Sequence, residues 1–350
     1  MLIRGWRKVK RWSQRRWMKI HPHALILLYH RVTVLDSDPQ LLSVSPQNFA
    51  EHLQILSKSY HLVSLRELVK QLCEGQVKHH SVAITFDDGY ADNLHEAKPL
   101  LEKYGIPATV FVTAGKIGQN QEFWWDDLER ILLKTVHLPE KLALTINSQS
   151  YNWELGESAH LDQITSLQYL INNWNVVKTD NPTPRHQIYR SLCSLLGPLS
   201  TETRGKILQE IVHWAQIDSS GRLSHRALTE TEVQQLAKDG LVEVGAHSIN
   251  HPVLSSISQP EQELEIHQSR KKLESILGHS VTSFAYPYGT KSDYNSQTVA
   301  TVKNLGFDCA CSNFAEVVWR GSDRFELPRF LVRNWNGEKF AEQLKGWFNG

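Results

Sequence analysis

The residues best equipped for chemistry lie in two short segments. In T-F-D-D-G-Y (85–90), the adjacent carboxylates Asp87 and Asp88 follow an apolar run, Val82 to Phe86. Adjacent side chains at a strand end diverge, so one carboxylate can bind a cation while the other faces a water beside it. Gly89 permits the tight turn this requires. The same pair could instead cap a following helix, whose first N–H groups need side-chain acceptors. In G-A-H-S-I-N-H-P (245–252), His247 and His251 are four apart after another apolar run. Both imidazoles can turn to one ion if the segment coils through a helical turn. Among 17 histidines such a pair decides little alone; its weight comes from the carboxylates upstream.

These side chains need strands to carry them. A-L-I-L-L-Y (24–29) has the length and apolarity of a buried strand ending near His30. A helix from Ser45-Pro46 to about Ser57 follows, then a strand at 62–64 and a helix over 64–73 with Ser64 as cap and Glu67 three residues on. Strand 82–86, helix 91–104 and strand 108–113 continue the alternation. It resumes with a helix at 229–239, where Thr229 and Glu232 form a capping-box pattern, and a strand at 241–246. Helix 260–277, strand 281–286, helix 293–305 and strands near 307–311 and 327–333 complete it. Alternating strands and helices imply an α/β fold with a parallel sheet, a distorted (β/α) barrel whose chemistry sits at the carboxyl ends of its strands. Asp87, Asp88 and His30 all fall at such ends.

The expected organisation is a basic arm over residues 1–22, barrel over 23–126, a mostly helical insertion over 127–227 and barrel again over 228–340. Residues 1 to 20 hold eight Arg or Lys and no acid, against a net charge of +1 for all 350 residues. Leu2, Trp6, Val9, Ser13, Trp17 and Ile20 share one helical stripe, the pattern of a basic amphipathic helix suited to an anionic membrane surface. Nucleic acid is not the expected partner. The chain shows neither a signal peptide nor an apolar stretch near the roughly 20 residues that span a bilayer, so a cytoplasmic or membrane-peripheral protein is expected. Cys73, Cys193, Cys309 and Cys311 lack the spacing of a disulfide framework or structural zinc site.

T-F-D-D-G-Y, then H-x-x-x-H-P, then Y-P-Y-G (286–289) occur in that order, supported by P-L-L-E-K-Y-G-I-P-A-T-V-F-V at 99–112 and F-A-Y-P-Y-G at 284–289. This combination resembles the NodB-homology polysaccharide deacetylases, carbohydrate esterase family four, over about 24–126 and 228–335. The resemblance implies that Asp88, His247 and His251 hold a divalent metal, usually Zn²⁺, that Asp87 is the general base, and that the Tyr288 backbone N–H helps hold a negative oxygen. The implied activity removes N-acetyl groups from amino sugars of a polysaccharide or lipid-linked glycan. Rival readings are a deformylase or other non-peptide amide hydrolase, and a glycan-binding pseudoenzyme.

Two departures stand out. Ala285 occupies the place where the family often has an arginine that orients the base, and Arg329, in E-L-P-R-F-L-V-R, could supply that charge from another strand, with a surface or structural arginine as the alternative. No histidine follows His279, so the family's C-terminal acid histidine is missing. L-L-Y-H-R-V looks like that strand moved to the N-terminus, a permuted order similar to the deacetylases of poly-N-acetylglucosamine, with His30 as general acid or else a structural strand-end histidine. Trp125 is a candidate sugar contact, with core packing as the alternative.

Overall fold

A computed structural model describes residues 21–161 and 173–349. Of the basic arm expected over residues 1–22, residues 1–20 lie outside the described residues. Thirteen short strands occur among them: β1 (His23–Tyr29), β2 (Arg31–Val32), β3 (Ser43–Val44), β4 (His61–Leu62), β5 (Ser81–Phe86), β6 (Ala108–Val112), β7 (Lys141–Ile146), β8 (Gln149–Glu154), β9 (Val242–Ala246), β10 (Ser283–Ala285), β11 (Cys309–Cys311), β12 (Val318–Trp319) and β13 (Phe330–Leu331). The chain divides into two compact units. The first comprises residues 1–34, 43–115 and 229–350, and the second residues 35–42 and 116–228.

In the first unit a mixed sheet runs in the order β11-β10-β9-β6-β5-β1-β12, with β4 beside β5 and β13 beside β1. All its pairings are parallel except β1 with β12. The sheet curls until one segment bridges its ends. Leu327 N–H donates to Ala310 O and Ser312 N–H to Leu327 O, while a few residues later Val332 N–H donates to Leu28 O. Residues 327–332 therefore form a seam between the last long-range strand and the first. Apolar strands such as β1 and β5 are buried along their whole length, as both faces of a parallel sheet require. Below the site, the helix Leu65–Cys73 turns Leu65, Leu68, Val69 and Leu72 into a cluster with Ala83, Phe111, Ala285 and Cys311. The expected helix over 91–104 is a π-helical turn at Asn93–Ala97 leading into an α-helix at Lys98–Tyr104.

His52, fully buried, ties the helix Pro46–Ser59 to its surroundings. Its Nε2–H donates to Trp335 O (2.7 Å), which leaves Nδ1 to accept from Tyr29 Oη (3.3 Å), and its ring stacks on Phe340 at 3.9 Å. Burial pushes its pKa down to about 4 against the pull of the Trp335 carbonyl. Because the folded value lies below the ordinary 6.5, the unfolded chain binds a proton between pH 6.5 and about 4 that the folded chain does not. This contribution to stability is complete above pH 6.5 and is lost on acidification, by up to about 1.4 kcal/mol per pH unit. The urea midpoint is therefore expected to fall between pH 7 and pH 4.5, and less steeply in His52→Gln. Equal slopes in the two chains would remove His52 from the explanation.

The second unit contains the helices Pro184–Leu196 and Thr201–Ala215 and, beside the helices expected, the antiparallel hairpin β7–β8. Leu142, Leu144 and Ile146 are buried while the residues between them are exposed. The two-residue loop has positive φ at both Asn147 (51°) and Ser148 (64°), the conformation whose twist matches a tight hairpin. This unit runs from Lys116 to Leu228 and includes the distant segment 35–42.

Candidate metal centre and its carboxylate partner

The site lies at the carboxyl ends of β1, β5, β9 and β10, within the first unit. Asp87 and Asp88 follow β5 directly, and Asp88 takes φ 75°, with Gly89 at 79°. A Cβ on Gly89 would come within 2.9 Å of Val112 Cγ1, so this turn requires glycine. The other loops bend in the same sense: Ser248 and His251 have φ 59° and 55°, and Tyr288 has 59°. Left-handed backbone at non-glycine residues is costly and gathers where a site dictates it.

Asp88, His247 and His251 are buried, and one ligand atom from each lies within 4.8 Å of the others. Asp88 Oδ1 is 3.6 Å from His247 Nε2 and 3.5 Å from His251 Nε2. Ligands about 2.1 Å from one tetrahedral ion stand roughly 3.4 Å apart, so the set fits a small divalent cation. His247 Nδ1–H donates to Ala285 O at 2.8 Å, which leaves the Nε2 lone pair for an ion. Burial lowers the His247 pKa against the pull of Asp87, so the ring is neutral at neutral pH, the form that can ligate. This is a buried divalent-metal site.

Asp87 is buried beside that set, its Oδ2 4.0 Å from His247 Nε2, and is paired with Arg329. The guanidinium grips it with two parallel bonds, Nη1 to Oδ1 and Nη2 to Oδ2, both 2.7 Å. Arg329 is 1% exposed, and its Nε–H donates to Ser312 O (2.7 Å) and its Nη1 to Thr85 Oγ1 (3.3 Å). Burial alone would raise the Asp87 carboxyl; Arg329, then His247, outweigh it and hold it below the usual range. The charge absent at Ala285 thus arrives from the seam. Thr85 was not read from the sequence as part of the site, although the two-residue period of β5 places it on the Asp87 side. Nothing in the sequence marked Ser312. Phe111 lies beneath the guanidinium, 5.6 Å from ring centre to Cζ, in space that a Cβ on Gly245 would invade to 2.4 Å.

His30 stands at the same end of the sheet, half-buried, with Asp87, Arg329, Arg333 and His247 as its titratable neighbours. Desolvation presses its pKa down to about 4 against the pull of Asp87. Its Nδ1 is buried and has no hydrogen-bond partner among the described residues, while its carbonyl accepts from Asn93 Nδ2 (2.8 Å). Tyr288 lies against His251, ring centroids 4.7 Å apart. Trp125 belongs to the second unit, where it is 7% exposed and stacked on Phe123 at 4.8 Å.

Comparison with known proteins bears on this geometry. The family described as polysaccharide deacetylase matches residues 74–141 and 211–310, which hold both aspartates, both histidines and Tyr288. Over these two segments, just under half of the chain, the sequence matches the polysaccharide deacetylase family. His30 and Arg329 lie outside the matched segments. A putative polysaccharide deacetylase of Bacillus subtilis, YxkH, is 28% identical over 45% of the chain and 61% of its own length. The poly-beta-1,6-N-acetyl-D-glucosamine N-deacetylase of Staphylococcus epidermidis is 33% identical over 28% of the chain and 38% of its own length. The chain thus spans less than two thirds of either relative. In three dimensions IcaB from Ammonifex degensii superposes with a TM-score of 0.57 at 17% identity, covering 94% of this chain and 98% of that one, a likeness of fold. Among the described residues, no helix is long and apolar enough to cross a membrane.

Proposed function

We propose that this metal-dependent hydrolase removes N-acetyl groups from amino sugars of a polysaccharide or lipid-linked glycan, releasing acetate and a free amine. The observation that carries the reading is the division of labour between adjacent carboxylates. Asp88 faces two imidazoles, and Asp87 is held ionised by Arg329. The substrate printed for the Staphylococcus relative supports the amino-sugar class. Zn²⁺ is the ion assigned, since two imidazoles and one carboxylate are a set that catalytic zinc takes. When bound, such an ion polarises a carbonyl oxygen and makes a neighbouring water more acidic.

The chain's own groups do the rest. Asp87 accepts the proton of the attacking water, kept ionised and aimed by its two bonds to Arg329. Tyr288 offers its backbone N–H to the developing negative oxygen. The leaving amine needs one proton, and His30 delivers it. With its pKa near 4, His30 is neutral before the reaction, so it acts by taking on the proton that Asp87 has received and passing it to the amine nitrogen. Atoms and charge then balance: one water is consumed, the C–N bond breaks, and the water proton ends on nitrogen. Trp125, buried and stacked within its own unit, has no part in this reading.

The test is acetate release from chitooligosaccharides, poly-N-acetylglucosamine and lipid-linked glycans by the purified chain. Activity is expected to vanish on chelation and return with Zn²⁺, and His30→Asn is expected to slow turnover by about 100-fold or more. No acetate from any of the three substrates in the presence of metal would sink the deacetylase reading. Unchanged turnover in His30→Asn would remove the relay alone.

A further inference from the structure

The turn that carries His251 is held from two sides by groups outside the reacting centre. On one side Glu265, in the helix Gln259–Leu277, accepts the backbone N–H of Ile249 (2.9 Å) and of Asn250 (2.8 Å) at Oε2, and Asn250 Nδ2 (2.7 Å) at Oε1. On the other, Ala114 N–H donates to Ser248 O (3.0 Å) and Gly115 N–H to Ile249 O (2.8 Å). Within the turn, Ser248 Oγ accepts the N–H of His251 (3.0 Å). The turn thus gives its N–H groups to one neighbour and its carbonyls to another.

The turn needs this support because of its own conformation. Ser248 and His251 both have positive φ, 59° and 55°, a backbone conformation that is costly for residues with a side chain. Left unsupported, the segment would relax toward ordinary backbone and swing the His251 ring away from its place 3.5 Å from Asp88 Oδ1. Gly115 cannot be replaced without moving the turn, since a Cβ there would come within 2.5 Å of Ile249 O. Glu265 is equally particular. Three N–H donors converge on its two oxygens, and a carboxamide offers one oxygen and sets an NH₂ against the remaining donor.

We propose that Glu265 and Gly115 are positioning residues of the metal centre, a two-sided clamp that fixes His251 at ligand distance and thereby sets the affinity for the ion. The inference rests on the reading that Asp88, His247 and His251 hold a divalent cation, and on nothing about the substrate. Groups that orient a metal-binding histidine typically change metal affinity by about 10- to 100-fold when removed.

The experiment uses the full chain stripped of metal, titrated with Co²⁺ by its visible absorption and with Zn²⁺ in competition with a chromophoric chelator. Glu265→Gln and Gly115→Ala are each expected to weaken binding of both ions by about 10- to 100-fold. The exposed neighbour Glu263→Gln is expected to bind as the unaltered chain does. If Gly115→Ala does not fold, Glu265→Gln alone decides. A Glu265→Gln chain that loses thermal stability but binds metal within about twofold of the unaltered chain would show a merely structural role and overturn the proposal. If the unaltered chain binds neither ion, the metal reading and the clamp fail together. Absence of acetate release alongside the expected loss of affinity would leave the clamp standing and remove only the deacetylase reading.

Discussion

Asp87→Asn is expected to lower kcat by about 100- to 10,000-fold while Zn²⁺ affinity stays within a few-fold of the unaltered chain. The two effects separate because both Asp87 oxygens are bonded to Arg329 and neither belongs to the donor set. Asp88, His247 and His251 make up the donor set without Asp87. An asparagine there cannot take a proton from water. It also presents one oxygen and one NH₂ to a guanidinium that now has two oxygens at 2.7 Å, leaving a buried positive charge half-partnered. Breaking such a buried pair costs about 3–5 kcal/mol, so the variant should also unfold at lower denaturant. Kinetics at saturating metal and glycan, with a parallel metal titration, read both. A residual rate close to that of the unaltered chain would mean that another group takes the proton.

Arg329 is the second site of large effect. Arg329→Ala leaves the Asp87 carboxylate buried without its cation, at a cost of about 3–5 kcal/mol. It also changes the pH dependence in a defined sense. With the guanidinium gone, burial is the main influence left on Asp87 and raises its pKa, so the base becomes protonated at a higher pH than before. The acidic limb of kcat is therefore expected to move to higher pH. Arg329→Lys should recover part of the shift, because an ammonium restores the charge but not the two parallel bonds. An acidic limb that does not move in Arg329→Ala would show that the pairing is structural and does not tune the base.

Much of this was legible because local rules and global fold agree. The apolar runs of β1 and β5 read as buried strands, and Ser64 caps its helix by accepting the Glu67 N–H at 3.1 Å. Thr229 and Glu232 form the capping box that their spacing suggested. The curled α/β sheet follows from such elements taken together. What escaped depended on long-range geometry or on a missing cue. The hairpin β7–β8 has the right alternation in Leu142, Leu144 and Ile146, but its turn is Asn147-Ser148, without the glycine that usually announces positive φ. Arg329 could be named as a candidate but not distinguished from a surface arginine, because no spacing rule reports where a sheet closes on itself. The clamp at Glu265 has no sequence signature, since its three bonds reach across 15 and 16 residues to backbone and amide groups.

The seam at residues 327–332 has a consequence for when the site can exist. The bond between Arg329 and Asp87 joins positions 242 apart, and it forms only once the last strand has been laid between β11 and β1. Of these groups the two carboxylates leave the ribosome first, the histidine pair next and the guanidinium last. Because closing so long a loop comes late in folding, the nascent chain holds donors for an ion well before it holds an aimed base. The pairing that aims Asp87 is therefore withheld until the seam has closed.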